Sequence, residues 1–457
     1  MNIPKTLWNL YQLKKNETIS PAALQGIQQK KLQKLLHYAW DHSSYYRSSF
    51  QQAGISKEML DNTPLSQFPS IHKQTLLEQF DRLVTVPDLN QEILRQFDEG
   101  SNKNRTPFLG KYHVVHSSGS TGKPGYFVYD EQAWNCMLLG IIRGALWNMT
   151  MPQILKLLAG KPRILYIAAT DGRYGGAMAV GDGIDGVGAS QLYLDIKTPL
   201  SEWVRQIQAF RPNLIIGYPS AIKILGELAE NGDLSLNIVR VVSCGEPLGA
   251  SLRNYLERTL HTPVINFYGA SESLALGVES DPQEGILLFD DMNIIEAAED
   301  GTYLTCLYNF AQPLIRYRLS DRLTLKAPFK NSPCPFPRAV GLLGRNEDIL
   351  WFEDQGGNRE FLHPLAIEGF CIEGLLDYQF RQTGKNSFEM LAEIVPQAPQ
   401  EKIRSEMLCQ MKKILAAKGL SYVDFAVYFV DKILPDPRTG KKQLIITPCP
   451  RETRCAG

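Results

Sequence analysis

The chain has no excess charge of either sign: 48 Lys and Arg stand against 48 Asp and Glu over 457 residues. No net field draws it to nucleic acid or to an anionic membrane, so any polyanion must be bound site by site in a local pocket. There is no C-x-x-C pair among its eight cysteines, which argues against a disulfide framework and a conventional zinc site and favours buried free thiols. Long apolar runs are missing too. The most apolar segment, Cys136 to Trp147, is interrupted by Arg143 and is too short to span a bilayer. Met1 to Leu13 holds no apolar stretch followed by a small-residue cleavage site, so a cytoplasmic protein is expected.

What remains is an ordinary globular composition, 44% apolar and 21% charged. The length exceeds what one compact core serves, so a large domain plus a smaller one is expected. Leu32, Leu35, Leu36 and Ala39 recur at i, i+3, i+4 and i+7 within an amphipathic helix placed in residues 21 to 48, a region ended by Tyr45-Tyr46 and the Phe68-Pro69 turn. Lys73 to Leu83 reads as another helix and residues 97 to 107 as an exposed loop. After a helix over 130 to 147, short apolar runs alternate with helical segments: Ile164–Ile167, Leu192–Leu194, Ser201–Phe210, Leu214–Ile216, Ser220–Glu230, Val239–Val242, Ala250–Leu260 and Val264–Phe267. Such repeats imply a parallel sheet covered by helices, with ligands gathered at the carboxyl ends of its strands.

The most unusual stretch is His116-Ser117-Ser118-Gly119-Ser120-Thr121-Gly122-Lys123-Pro124, between Val114-Val115 and Tyr126-Phe127-Val128. Glycines, hydroxyls and one ammonium in a loop can converge on phosphate oxygens, although a polar hairpin turn has the same composition. It does not fit the Walker pattern, because Gly119 stands three residues before Gly122 and Lys123 precedes Pro124. Three expected strand ends then run into Gly217-Tyr218-Pro219-Ser220, Ser243-Cys244-Gly245-Glu246-Pro247 and Tyr268-Gly269-Ala270-Ser271-Glu272. Each alone could be a Gly/Pro-closed loop, but their serial arrangement favours a site. Gly269 to Ser273 approaches the nucleophile elbow and ends in Ser where that motif has Gly, which ranks a serine hydrolase below a nucleotide site.

In this order the loop, the Tyr268 to Glu272 turn, Arg316-Tyr317-Arg318 through Asp321, and Gly344-Arg345 resemble the successive motifs of adenylate-forming enzymes. Tyr45-Tyr46-Arg47, Ala53-Gly54-Ile55, Tyr174-Gly175-Gly176 and Tyr218-Pro219-Ser220 narrow the likeness to the phenylacetate-CoA ligase branch. The resemblance implies an α/β fold: a large N-terminal domain, residues 1–345, with parallel sheets covered by helices, and a small mobile α+β C-terminal domain, residues 346–457. The elements expected there are Phe388 to Val395, a helix over Gln400 to Lys418, Val423 to Val430 and Leu444 to Thr447.

It also implies ATP, Mg2+ and coenzyme A. Ser117, Ser118, Gly119, Ser120, Thr121, Gly122 and Lys123 would hold the β- and γ-phosphates. Glu272 would be the metal ligand. Tyr268 and the Gly245-Glu246-Pro247 turn would bracket adenine, with Gly269, Ala270 and Ser271 completing the turn. Asp321 would accept from the ribose hydroxyls, its alternative being an ion pair with Arg318 or Arg322. Arg345 would contact ribose or phosphate, and Glu347 stands in the hinge slot where aspartate is usual. Lys441 would be the catalytic lysine delivered by the moving domain, with Lys442 its competitor. Tyr174, Gly175, Gly176, Tyr218, Pro219 and Ser220 would face the acid, within a pocket drawn from Ala168–Gly176, Tyr218–Ala221 and Ser243–Gly245. Ser120 and Ser271 replace threonine, the 354–364 stretch is lengthened where coenzyme A enters, and Ser280 to Leu288 carries no Cys/His metal set, so no zinc is expected. The activity implied is aryl or arylacetic acid–CoA ligation through an acyl-adenylate. A carrier-protein, amine or hydroxyl acceptor, a homodimer and a nucleotide-binding module without turnover stay open.

Overall fold

The computed structural model describes residues 3–100, 106–116, 125–168, 178–179, 189–195, 198, 200–329, 332–343, 350–353, 359–362, 367, 370, 372–417, 419–435 and 443–446. Helices α1 (Ile3–Lys15), α2 (Pro21–His42), α3 (Ser44–Gln52), α4 (Lys73–Leu83) and α5 (Gln91–Gly100) precede the strands. Ser20 starts α2 by accepting from the Ala23 N–H, and Pro21 presets its first turn. Its stripe of Leu32, Leu35, Leu36 and Ala39 is buried in the main core. Tyr45-Tyr46 do not close the region: Ser43 accepts from the Tyr46 N–H and opens α3. Residues 97–100, expected in a loop, form the last turn of α5.

Strands β1 (Tyr112–His116) and β2 (Tyr126–Asp130) pair antiparallel. The expected alternation follows: α6 (Glu131–Ala145), α7 (Met151–Ala159), β3 (Arg163–Ala168), β4 (Ser190–Asp195), α8 (Leu200–Phe210), β5 (Leu214–Gly217), α9 (Pro219–Glu230), β6 (Arg240–Cys244), α10 (Ala250–Leu260) and β7 (Val264–Ala270). In space β4, β3, β5, β6 and β7 lie side by side and parallel.

The chain then gives β8 (Ser273–Glu279), β9 (Ile286–Leu288), β10 (Asn293–Ala298), β11 (Gly301–Cys306), β12 (Tyr317–Leu319), β13 (Arg322–Lys326) and β14 (Arg338–Leu343). Of these, β8, β9, β14 and β13 extend the main sheet antiparallel beyond β7, so the nine-stranded sheet is mixed rather than wholly parallel. Strands β10, β11 and β12 make a separate sheet. Three-residue strands such as β9 and β12 are too short to carry a readable period.

Beyond residue 350 come β15 (Leu350–Glu353), β16 (Arg359–Leu362), β17 (Leu375–Gly384), β18 (Ser387–Ile394), α11 (Gln400–Ala417), β19 (Asp424–Phe429) and β20 (Ile445–Ile446). They form the expected α+β unit: a sheet in the order β19-β18-β17-β20, covered by Ile403, Met407, Met411 and Leu415 of α11 over their own apolar core. Of the described cysteines, Cys306 and Cys334 are buried while Cys409 is exposed, so burial of the thiols is only partial. Among the described residues no helix is long and apolar enough to cross a membrane.

Candidate active site

Ser117 to Lys123, Tyr174 to Gly176, Arg345, Glu347 and Lys441 lie outside the described residues. The structure places what surrounds the first of these. His116 pairs with Tyr126 across the β1–β2 ladder, so the described residues on either side of 117–124 are one strand spacing apart. The ladder is pinned from below by a loop of distant sequence. Gln312 accepts from the Val128 N–H at 2.7 Å and donates to the Tyr126 carbonyl at 3.0 Å, and Asn309 donates to the Val128 carbonyl at 2.9 Å. Both side chains are buried. His116 Nδ1 lies 2.9 Å from the Asp98 carboxylate on α5. None of these three partners was marked by the sequence motifs.

At the ends of β5 and β6 the structure joins two groups that the sequence had assigned separately. Gly245 has φ +80, and a Cβ there would stand 2.7 Å from the Tyr218 ring, so only glycine lets this main chain lie against that ring. Glu246 accepts from the Ser220 N–H at 3.2 Å, placing a carboxylate at the start of α9, which Pro219 opens. Tyr218, Pro219, Ser220, Gly245 and Glu246 thus form one corner. Pro247 lines a cavity of about 30 Å³ with Leu252, Leu376 and Tyr378.

The third strand end is a hairpin. Ala270 pairs with Ser273, leaving Ser271 and Glu272 at the turn, and the register slips between Tyr268 and Ala270. Gly269 occupies that slip because a Cβ there would meet the Leu274 carbonyl at 2.4 Å. Tyr268 donates its hydroxyl to Asp321 at 2.9 Å, while Arg318 and Arg322 donate to the carbonyls of Asp300 and Glu299. The Tyr129 hydroxyl points at the carbonyls of Ser271, 3.1 Å, and Glu272, 3.0 Å. The buried Tyr317 ring meets Phe127 of β2 edge-on, centroids 6.1 Å apart.

Burial, reinforced by Asp321 for Tyr268 and by Glu272 for Tyr317, holds both phenols above their ordinary range. Both stay protonated, and Tyr268 donates to the Asp321 carboxylate. The Ser273 hydroxyl, by contrast, is buried between Asn293 and Tyr308, which suits a structural serine rather than an exposed nucleophile.

Comparison with known proteins decides what this frame belongs to. The chain is 26% identical over 358 residues to phenylacetate-coenzyme A ligase of Escherichia coli, covering 73% of this chain and 74% of the relative. It is 24% identical over 377 residues to the protein of the same name from Thermus thermophilus, covering 78% and 77%. A crystal structure of 2-hydroxyisobutyryl-CoA ligase in the postadenylation state, with 2-HIB-AMP bound, superposes with a TM-score of 0.72 at 18% identity, covering 95% of this chain and 92% of that one. Over about three quarters of its length the chain is similar to phenylacetate-CoA ligases, and it shares the fold of 2-hydroxyisobutyryl-CoA ligase. No protein-family model matches it.

The carboxylate of Glu272 on its turn fits magnesium. Among the described residues no three His, Cys, Asp or Glu side chains converge as a metal cage. Magnesium in nucleotide enzymes is typically bound by one or two carboxylates together with substrate phosphates and water, and a single carboxylate on a turn suits that mode.

Proposed function

We propose that this chain is an ATP- and magnesium-dependent acid–CoA ligase whose acid is an aryl or arylacetic carboxylate. The observation that carries the reading is the Tyr268 to Glu272 hairpin. It sets the tyrosine, its hydrogen-bonded Asp321 and the Glu272 turn together at the carboxyl end of β7, in the motif order of the family. The similarity to phenylacetate-CoA ligases supports the substrate class.

In the first half-reaction a carboxylate oxygen of the acid attacks the α-phosphorus of ATP. The bond to the bridging oxygen breaks and pyrophosphate leaves. Ser117 to Lys123 cradle the β- and γ-phosphates, and Glu272 is the protein ligand for magnesium, which neutralises phosphate charge when bound. Gly245 and Tyr268 bracket adenine, and Asp321 accepts from the ribose. The acid lies against Tyr174 to Gly176 and the Tyr218 to Ser220 corner. In the second half-reaction the coenzyme A thiolate attacks the acyl carbon and AMP leaves.

We divide the chain into a large domain, 1–345, and a small one, 346–457. Glu347 is the hinge, Arg345 meets ribose or phosphate, and Lys441 is brought to the reacting phosphate as the small domain closes. A cytoplasmic location suits chemistry that consumes ATP and coenzyme A.

Acid-dependent exchange of labelled pyrophosphate into ATP, run with aryl, arylacetic and fatty acids, tests the reading. Exchange with the aryl or arylacetic acids supports it, and no exchange with any acid, despite ATP binding, sinks it. Thioester formation on adding coenzyme A completes the assignment. Its failure with exchange intact moves the acceptor to a carrier protein, an amine or a hydroxyl group.

A further inference from the structure

The side chain of Lys223 leaves the first half of α9 and is only 4% exposed, its ammonium 2.5 Å from the carboxylate of Glu393 on β18, itself 6% exposed. A second pair crosses the same boundary in the opposite sense: Lys432, just past β19, lies 3.4 Å from Glu227 of α9. Glu227 stands one helical turn from Lys223 and 3.7 Å from its ammonium. Glu393 is held in place by the Ile433 N–H, which donates to it at 2.9 Å. Beside these charges, Leu376 and Val395 of the C-terminal unit pack into the apolar cluster of α9 and α10. Ser251 of α10 donates its hydroxyl to the Phe370 carbonyl at 2.7 Å.

A contact built to stay shut gains little from such an arrangement. Burying two ions costs hydration that their attraction barely offsets, and apolar side chains of the same volume hold at least as well. A contact that opens does gain. Once the surfaces part, both ions recover their water, and the bared faces present lysines and carboxylates beside Leu376 and Val395 instead of an unbroken apolar patch. We propose that the Lys223–Glu393 pair, with Lys432–Glu227 at its side, is a reversible latch that holds the C-terminal unit on α9 in one orientation and releases it within each turnover. The holding stands on the ion pairs; the release rests on the ligase reading above, in which the small domain moves during the reaction.

The test compares the full-length protein with two variants that push the latch in opposite directions. Lys223→Met together with Glu393→Gln removes both charges and keeps an acceptor for the Ile433 N–H. Opening then no longer returns two ions to water, and the docked state should gain about tenfold or more. Lys223→Met alone leaves Glu393 without its counter-charge and should shift the unit off α9 by about as much. Deuterium uptake over residues 219–230 and 431–435 reads the docking: slower in the double variant, faster in the single one. Each half-reaction is then measured alone, by pyrophosphate exchange and by thioester formation from preformed acyl-adenylate. The double variant should keep one half-reaction within about twofold and lose about tenfold in the other. The half-reaction it keeps is the one that the single variant slows. Equal deuterium uptake in all three proteins, or a change of the same sign in both variants, overturns the latch. Half-reactions slowed by the same factor overturn its release within turnover. If neither half-reaction occurs with any acid while deuterium uptake shifts as expected, the ligase reading falls and the holding role stands.

Discussion

The Lys223 ammonium on α9 lies 2.5 Å from the Glu393 carboxylate on β18, with both side chains almost fully buried. Glu393 also accepts from the Ile433 N–H at 2.9 Å, and Leu376 and Val395 pack into the apolar cluster around α9 and α10. The pair ties the C-terminal unit to the parallel half of the main sheet. Removing one partner strands a buried charge, so Glu393→Ala is expected to lower stability by about 3–5 kcal/mol. Urea unfolding measures it, and limited proteolysis should show the segment after residue 350 becoming accessible first.

Asp290 predicts a pH dependence of stability. Burial, with the charge of Asp291 adding to it, pushes its carboxyl up to about 7. A carboxyl raised in the folded state stabilises the fold while it stays neutral. Its contribution is therefore complete below about pH 4 and is lost as pH rises through 7. Between pH 4.5 and 7.5 the native protein should lose on the order of a few kcal/mol relative to Asp290→Asn. Parallel stability curves for both proteins would refute this by coinciding in slope.

Tyr268→Phe removes the donor to Asp321. A hydrogen bond to a charged acceptor contributes about 1.5–3 kcal/mol, and here its loss frees the carboxylate proposed to meet ribose. KM for ATP in pyrophosphate exchange should rise about tenfold with kcat within about threefold.

Gly245→Ala must place a Cβ 2.7 Å from the Tyr218 ring in a left-handed main-chain conformation. The expected cost is about 1–3 kcal/mol, together with weaker binding of both ATP and the acid, which we propose meet at this corner. Thermal unfolding and KM for each substrate check it separately.

Lys441→Ala should retain ATP binding and lower adenylate formation by about 100-fold or more, as expected when a donor to developing charge is removed. The same change at Lys442 should leave exchange nearly intact. A reversal of the two would move the catalytic role to the neighbouring lysine.

Much of this was legible in the chain. The alternation from Arg163 to Ala270 carried its periods in segments long enough to read, and α4 and α10 have the very limits expected from their apolar spacing. The motif around Tyr268 to Glu272 marked a strand end correctly because glycine, small residues and a carboxylate together suit a tight turn. The antiparallel half of the sheet was not legible. Strands of three residues, such as Ile286–Leu288, have no period and are stabilised by neighbours distant in sequence.

Local chemistry, then, determined the strand-helix order, the loop composition and the family likeness, since each depends on residues within a few positions of one another. Only the tertiary structure decided which of them meet. Tyr268 reaches Asp321 across 53 positions and Gln312 pins Val128 across 184. It also set the Tyr317 ring against Phe127 of β2, centroids 6.1 Å apart. Such pairings follow from how the sheet twists and packs, and a buried donor takes the acceptor that the fold presents to it.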